Sequence, residues 1–240
     1  MDNLLSQLHF ATVGQYLVPS LIDGVGIVLE ATFFGFILAT IVGVFIAVGR
    51  LFGWKPIKIF LYVFLEIIRG TPLLVQLVYI YYVVPLIINL LAGMLGYKTD
   101  MQIAPLTAGI AGLAINYGCY MSEVVRAGII AVDKGQMEAA LVLGFGKYEA
   151  LFRIVMPQAL RSIIPSLGNY LVMMIKDTSL LAYVAVNELL LRTQTYASQT
   201  FYTIEAYSYL AIAYLILSVP LSHCVKFIEY KLSSSSRYIS

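Results

Sequence analysis

Charge is what this sequence has least of. Only 12% of its 240 residues are Asp, Glu, Lys or Arg, against 60% hydrophobic, and the mean hydropathy is +0.87. Ordinary globular domains carry about twice that charge, so a soluble domain, a disordered chain and a nucleic-acid binder are all excluded. Cysteine is nearly absent, and Cys119 and Cys224 both lie in apolar stretches, so no disulfide framework is expected. The two histidines, His9 and His223, stand at opposite ends of the chain, so no metal site is expected. A phosphate-binding loop is also missing. Around Gly146-Lys147, Leu141 takes the place of its first glycine and Tyr148 the place of its hydroxyl residue. No nucleophile elbow, HExxH-type motif or internal repeat is present. What is left is a membrane-embedded protein with no nucleotide chemistry of its own.

Charge-free windows mark five spans. They run from Ala31 to Gly49 (with a helix start near Gly24), from Gly70 to Tyr97 (interrupted by Pro72 and Pro85), from Met101 to Ser122, from Ser162 past Lys176-Asp177 to Asn187, and from Ala206 to Val225. Each is long enough for a tilted helix at about 20 residues per crossing. The segment Met1–Ser20 reads as mildly apolar and lying along the outer surface. It lacks the basic start and apolar core of a signal peptide, and Ser233–Ser236 is low-complexity sequence. Of the 15 Lys and Arg, ten fall after spans 1, 3 and 5, among them Arg50, Lys55, Lys58, Lys134, Lys147, Arg153 and Arg161; only Lys98 and Arg192 occupy the alternate loops. Positive-inside sorting then predicts an odd span number, with the N-terminus outside and the C-terminus in the cytosol.

The loop from residue 133 to 161 is too long for a plain connector. Asp133 can cap a helix start, Glu138-Ala139-Ala140-Leu141 are strong helix formers, and Gly144 and Gly146 supply a stop and a turn. Lys147–Val155 reads as a second short amphipathic helix ending at Pro157. A helical knob of this kind suits either docking to a cytosolic partner or an amphipathic connector lying on the bilayer. Its spacing is also specific: Glu138-Ala139-Ala140, three residues, Gly144, nine residues, Ile154-Val155-Met156-Pro157. The membrane subunits of binding-protein-dependent ABC importers carry E-A-A, three residues, G, nine residues, I-x-L-P. This chain resembles them, and within them the polar amino-acid subfamily. The same resemblance extends through Arg69-Gly70-Thr71-Pro72, Ser122-Glu123-Val124-Val125-Arg126, Lys134-Gly135-Gln136, Pro157-Gln158-Ala159-Leu160 and Lys176-Asp177-Thr178-Ser179-Leu180. It departs at Met156, where Leu is usual, and at Ala131-Val132-Asp133, where Ser-Val-Pro often stands.

The resemblance implies an all-α integral membrane protein of the type I ABC importer class. It would have one transmembrane permease domain over 1–240, five transmembrane helices, and a cytoplasmic coupling loop at 133–161. Glu138, Ala139, Ala140, Gly144 and Pro157 would form the ATPase-coupling site. Implied partners are cytosolic ABC ATPase subunits, a second permease subunit (the same or different), an extracellular or periplasmic amino-acid-binding protein, a polar amino acid and membrane lipid, without nucleic acid. No cofactor is expected in this chain, since ATP and Mg would sit on the ATPase. The expected location is the bacterial cytoplasmic membrane, multi-pass.

Charges inside spans are costly and mark a pathway or a satisfied pair. With span 2 entering from the cytosol near Ile57, Arg69 falls about 18 Å deep, close to the bilayer midplane, Glu66 stands three residues earlier as an available partner, and Pro72 breaks the helix just after. Asn116, Tyr120 and Glu123 share one face at i, i+4, i+7. Lys176 and Asp177 diverge by about 100° around their helix. With Thr71 and Gln76 these residues form the candidate substrate pathway. Glu123 or Asp177 suits a zwitterion's ammonium, and Arg69 and Thr71 at the broken helix suit its carboxylate. The stripe equally fits buried ion pairs and interhelical hydrogen bonds. Two rival classes are weighed. An ion-gradient-driven secondary transporter would need internal repeats, and a channel or anchor would leave the ordered motifs unexplained.

Overall fold

The computed structural model describes residues 9–234, with side chains through residue 232. Among them every regular element is helical. Helix α1, Phe10–Phe52, has 43 residues and is about 65 Å long, roughly twice the ~30 Å hydrocarbon core of a bilayer. The sequence places its start near Gly24, but the helix begins at Phe10. Tertiary contacts supply what hydrophobicity does not. Tyr209 donates its hydroxyl to the Phe10 carbonyl at 2.9 Å, and Arg192 donates to the Ser20 hydroxyl at 3.2 Å. The expected surface segment Met1–Ser20 is thus helix from Phe10 on. Residues 1–8 of it, and residues 235–240 at the tail, lie outside the described residues.

Helix α2, Lys55–Arg69, ends at Gly70, and the chain restarts at Leu73 after Pro72. The predicted break is therefore where Pro72 puts it. Next come α3 (Leu73–Val78), a π turn (Tyr79–Val83) and α4 (Val84–Met94). Helix α5 is Pro105–Ile130, α6 Lys134–Val142 and α7 Lys147–Ala150. A second π turn (Leu151–Val155) leads into α8, Met156–Asp177, and a 3-10 stretch, Thr178–Val184. Last come α9 (Leu189–Thr200) and α10 (Thr203–Ser234). Among the described residues, three stretches are long and apolar enough to cross a membrane by length and composition: Phe10–Phe52, Leu73–Met94 and Thr203–Leu232. Helices α5 and α8 have the length, at 26 and 22 residues, but carry more polar residues.

Three sequence expectations need correction here. The second loop helix does not end at Pro157, and Pro85 does not stop its helix. Each proline follows a π turn by two residues. The wider turn accommodates the missing N–H and the ring that would otherwise clash one turn back. The fourth span also does not stay α-helical to Asn187. It tightens into 3-10 geometry after Asp177 and turns at Ala185, which has φ 61°.

The chain forms two compact units. One comprises Met1–Phe36, Thr71–Leu113 and Met173–Pro220. Within it the fully buried Glu188 carboxylate caps α9, accepting from the N–H groups of Leu190 and Leu191 and from the Tyr214 hydroxyl. The other comprises Ile37–Gly70, Ala114–Val172 and Leu221–Ser240. Its cores join α1, α5 and α8 through Ala47, Val125, Ala159 and Ile163, and α1, α2 and α5 through Ile46, Leu65 and Cys119. Helices α1 and α5 approach closely at Gly43, where an added Cβ would lie 3.0 Å from the Gly118 carbonyl oxygen.

Candidate functional site

The loop is built from its caps. Asp133 precedes α6, and its carboxylate accepts from the Gly135 N–H at 2.6 Å, as the sequence predicts for a helix start. At the other end the Phe145 N–H bonds the Ala140 carbonyl and the Gly144 N–H bonds the Leu141 carbonyl, each at 3.1 Å. This closure places Gly144 at φ 90°, the left-handed region that glycine enters without steric cost. Ala140 is buried, while Glu138, Ala139 and Pro157 are exposed. Leu141, Val142 and Leu143 project at the tip, Val142 with 87% of its surface free. Arg153 and Glu149 pair at 3.0 Å, one helical turn apart. Beneath the loop, a cavity of about 250 Å³ runs between the end of α1 (Leu51, Phe52) and Met137, Leu151 and Val155. The loop is thus capped at both ends and finishes in exposed aliphatic side chains, a contiguous apolar surface of the kind that suits contact with another protein.

The second cluster is charged. Glu123 on α5 accepts hydrogen bonds from Arg50 on α1 and, at 3.0 Å, from Nε of Arg126 on its own helix. Arg69, at the end of α2, comes within 3.6 Å of the same carboxylate, and its guanidinium lies 5.5 Å from the Tyr120 ring centroid. Tyr120 packs on Tyr170, which also meets Tyr117 edge-on. The expected face of Asn116, Tyr120 and Glu123 is thus present, with Asn116 buried. The Glu66–Arg69 pair is not: Glu66 is exposed, and Arg69 turns to Glu123 instead. Three guanidiniums therefore surround one carboxylate.

Of the remaining pathway candidates, Gln76 is buried and donates to the Thr71 carbonyl at 3.1 Å and hydroxyl at 2.9 Å, satisfying an acceptor freed by the helix break. Lys176 is exposed and Asp177 half-buried, which fits their divergence around the helix. Sequence reasoning missed Arg50 and Tyr170. The sequence pattern marks Arg50 only as a topology signal, because its partner Glu123 is 73 positions away. Tyr170 had no motif around it.

Comparison with known proteins places these membrane-length helices and this doubly capped loop in a membrane component of a transport system. The family described as "Binding-protein-dependent transport system inner membrane component" matches residues 39–238. The glutamine transport system permease protein GlnP of Escherichia coli K12 is 34% identical over 216 residues, covering 90% of this chain and 94% of that protein. The probable amino-acid ABC transporter permease protein PatM of Vibrio harveyi is 34% identical over 219 residues, covering 91% and 94%. A solved structure described as an amino acid ABC transporter with histidines superposes with a TM-score of 0.81 at 33% identity, covering 94% of this chain and 99% of its own. An inward-facing MetNI methionine ABC transporter shares the fold, with TM-score 0.65 at 17% identity over 92% and 98% of the two chains. The chain belongs to the family of binding-protein-dependent transport system inner membrane components. It is an ABC permease subunit rather than an enzyme, with ATP hydrolysis carried by a separate ATPase subunit and a binding protein as the other partner class.

Proposed function

We propose that this chain is the multi-pass permease of a polar amino-acid importer in the bacterial cytoplasmic membrane. It acts as one domain with five spans: α1, α3–α4, α5, α8 and α10. Its N-terminus is outside and its C-terminus cytosolic. It pairs with a second permease subunit, the same or different, and moves substrate by alternating access as the ATPase dimer closes. The loop at 133–161 couples the two, with Glu138, Ala139, Ala140, Gly144 and Pro157 as docking residues. Glu66, Arg69, Thr71, Gln76, Asn116, Tyr120, Glu123, Lys176 and Asp177 form the pathway. The observation that carries this reading is the double-capped loop helix with its bare aliphatic tip. The cation distribution supports the orientation, and the amino-acid transport permeases among its relatives support the substrate class.

The test is purification in mild detergent with Gly144→Asp alongside. The native chain brings an ATPase with it. The variant, which puts a charge on the docking face, inserts normally but loses ATPase and transport. Undiminished transport by the variant at normal expression would remove the coupling role from the loop.

A further inference from the structure

The Glu123 cluster is electrically unbalanced. Arg50, Arg69 and Arg126 face one acidic partner, leaving two positive charges in excess inside a membrane protein, where uncompensated charge is costly. The three arginines are not equivalent. Arg50 and Arg126 hydrogen-bond the carboxylate and hold it. Arg69 makes no hydrogen bond among the described residues, stands at 3.6 Å from the carboxylate, and keeps 40% of its side chain open. It lies over Tyr120 and within electrostatic reach of the Tyr170 phenol. Neither of those hydroxyls has a hydrogen-bond partner among the described residues. One guanidinium fork and two phenolic O–H groups, all with donors to spare, thus sit together in a field of positive sign.

We propose that Arg69, Tyr120 and Tyr170 form the receptor for the carboxylate of the transported amino acid, with Glu123 as the internal counter-ion that holds Arg69 while the site is empty. The proposal rests on the amino-acid pathway reading above and gives one end of the substrate an address. The sign of the field decides which end. An ammonium would be repelled by the excess guanidinium charge, whereas a carboxylate offsets part of it and takes a forked pair from arginine. Glu123 need not move, because Arg50 and Arg126 keep it satisfied when Arg69 swings to the ligand. Arg69 also sits directly before the break at Gly70–Pro72.

The experiment uses the permease–ATPase complex in lipid nanodiscs without binding protein. It measures the Kd of radiolabelled L-glutamine, L-histidine and L-arginine, and of their α-carboxamides by competition. At least one amino acid should bind at least about 10-fold more tightly than its carboxamide. Arg69→Gln should weaken the acid about 10- to 100-fold and leave the carboxamide nearly unchanged, so that the discrimination collapses. Tyr120→Phe and Tyr170→Phe keep the ring packing and should each cost about 3- to 10-fold; they decide the matter if Arg69→Gln does not assemble. Uptake of the same amino acids by the full complex with its binding protein separates two failures. Uptake accompanied by no nanodisc binding, or by variants that bind like wild type, overturns the carboxylate receptor alone. No uptake of any amino acid overturns the pathway reading beneath it.

Discussion

The left-handed turn at Gly144 can be tested without touching the membrane region. At φ 90° an L-residue with a Cβ is strained by about 1–2 kcal/mol. No atom lies within 4 Å of where that Cβ would be, so the penalty for Gly144→Ala comes from the backbone and not from a clash. At about 1.4 kcal/mol per tenfold, the substitution should weaken ATPase binding roughly 5- to 30-fold by undoing the closure onto Ala140 and Leu141. Asparagine tolerates left-handed geometry better than alanine, and β-branched residues tolerate it worst. The expected order of affinity is therefore Gly, Asn, Ala, Val. It is read by titrating purified ATPase onto nanodisc-held permease, with ATP-driven uptake measured in parallel. Equal affinity for the alanine, asparagine and valine variants would refute the argument, because it would mean that the turn's handedness plays no part in docking.

Glu123→Gln removes the carboxylate that faces three arginines. Breaking a fully buried pair costs about 3–5 kcal/mol, and the partial exposure of Glu123 and its partners reduces this to about 1–3 kcal/mol. The melting temperature of the variant should fall by several degrees, and an unchanged value would mean that the cluster is not load-sharing. The Glu205 carboxylate accepts from the His9 N–H at 2.9 Å, tying the chain just before α1 to α10. Glu205→Gln weakens this charge-assisted bond, so amide exchange at the start of α1 should rise several-fold, and unchanged exchange would show that the tie does not hold the helix start. Gly43→Leu would drive side-chain atoms into the Gly118 backbone and should destabilise by about 1–3 kcal/mol, seen as a lower melting temperature; wild-type melting would show that α1 and α5 can part there.

Local chemistry made the loop legible. Asp133, the alanines and Gly144 each act within four residues of themselves, so spacing alone predicts cap, helix and turn. The break at Pro72 and the shared face of Asn116, Tyr120 and Glu123 follow equally from a missing N–H and a 3.6-residue period. What could not be read depends on distant partners. Nothing near Gln15, Ser20 or Asp23 says that α1 reaches Phe10, because Tyr209 and Arg192 make that extension favourable. Nothing near Arg69 says that it prefers Glu123 to Glu66 one turn away. Pro157 misled because a proline ordinarily ends a helix, whereas this one follows a π turn and falls in the first turn of α8, where its missing N–H costs little.

Driving force separates the coupled permease from its closest rival. In liposomes holding the permease, its ATPase and its binding protein, uptake of a radiolabelled polar amino acid should require ATP at the ATPase face and binding protein at the other. The amino acid followed is whichever of radiolabelled L-glutamine, L-histidine and L-arginine the full complex takes up. Its uptake should persist when proton and sodium gradients are collapsed by ionophores and stop in Gly144→Asp. Uptake driven by an ion gradient in liposomes holding the permease alone, with no ATP and no ATPase, would contradict this account.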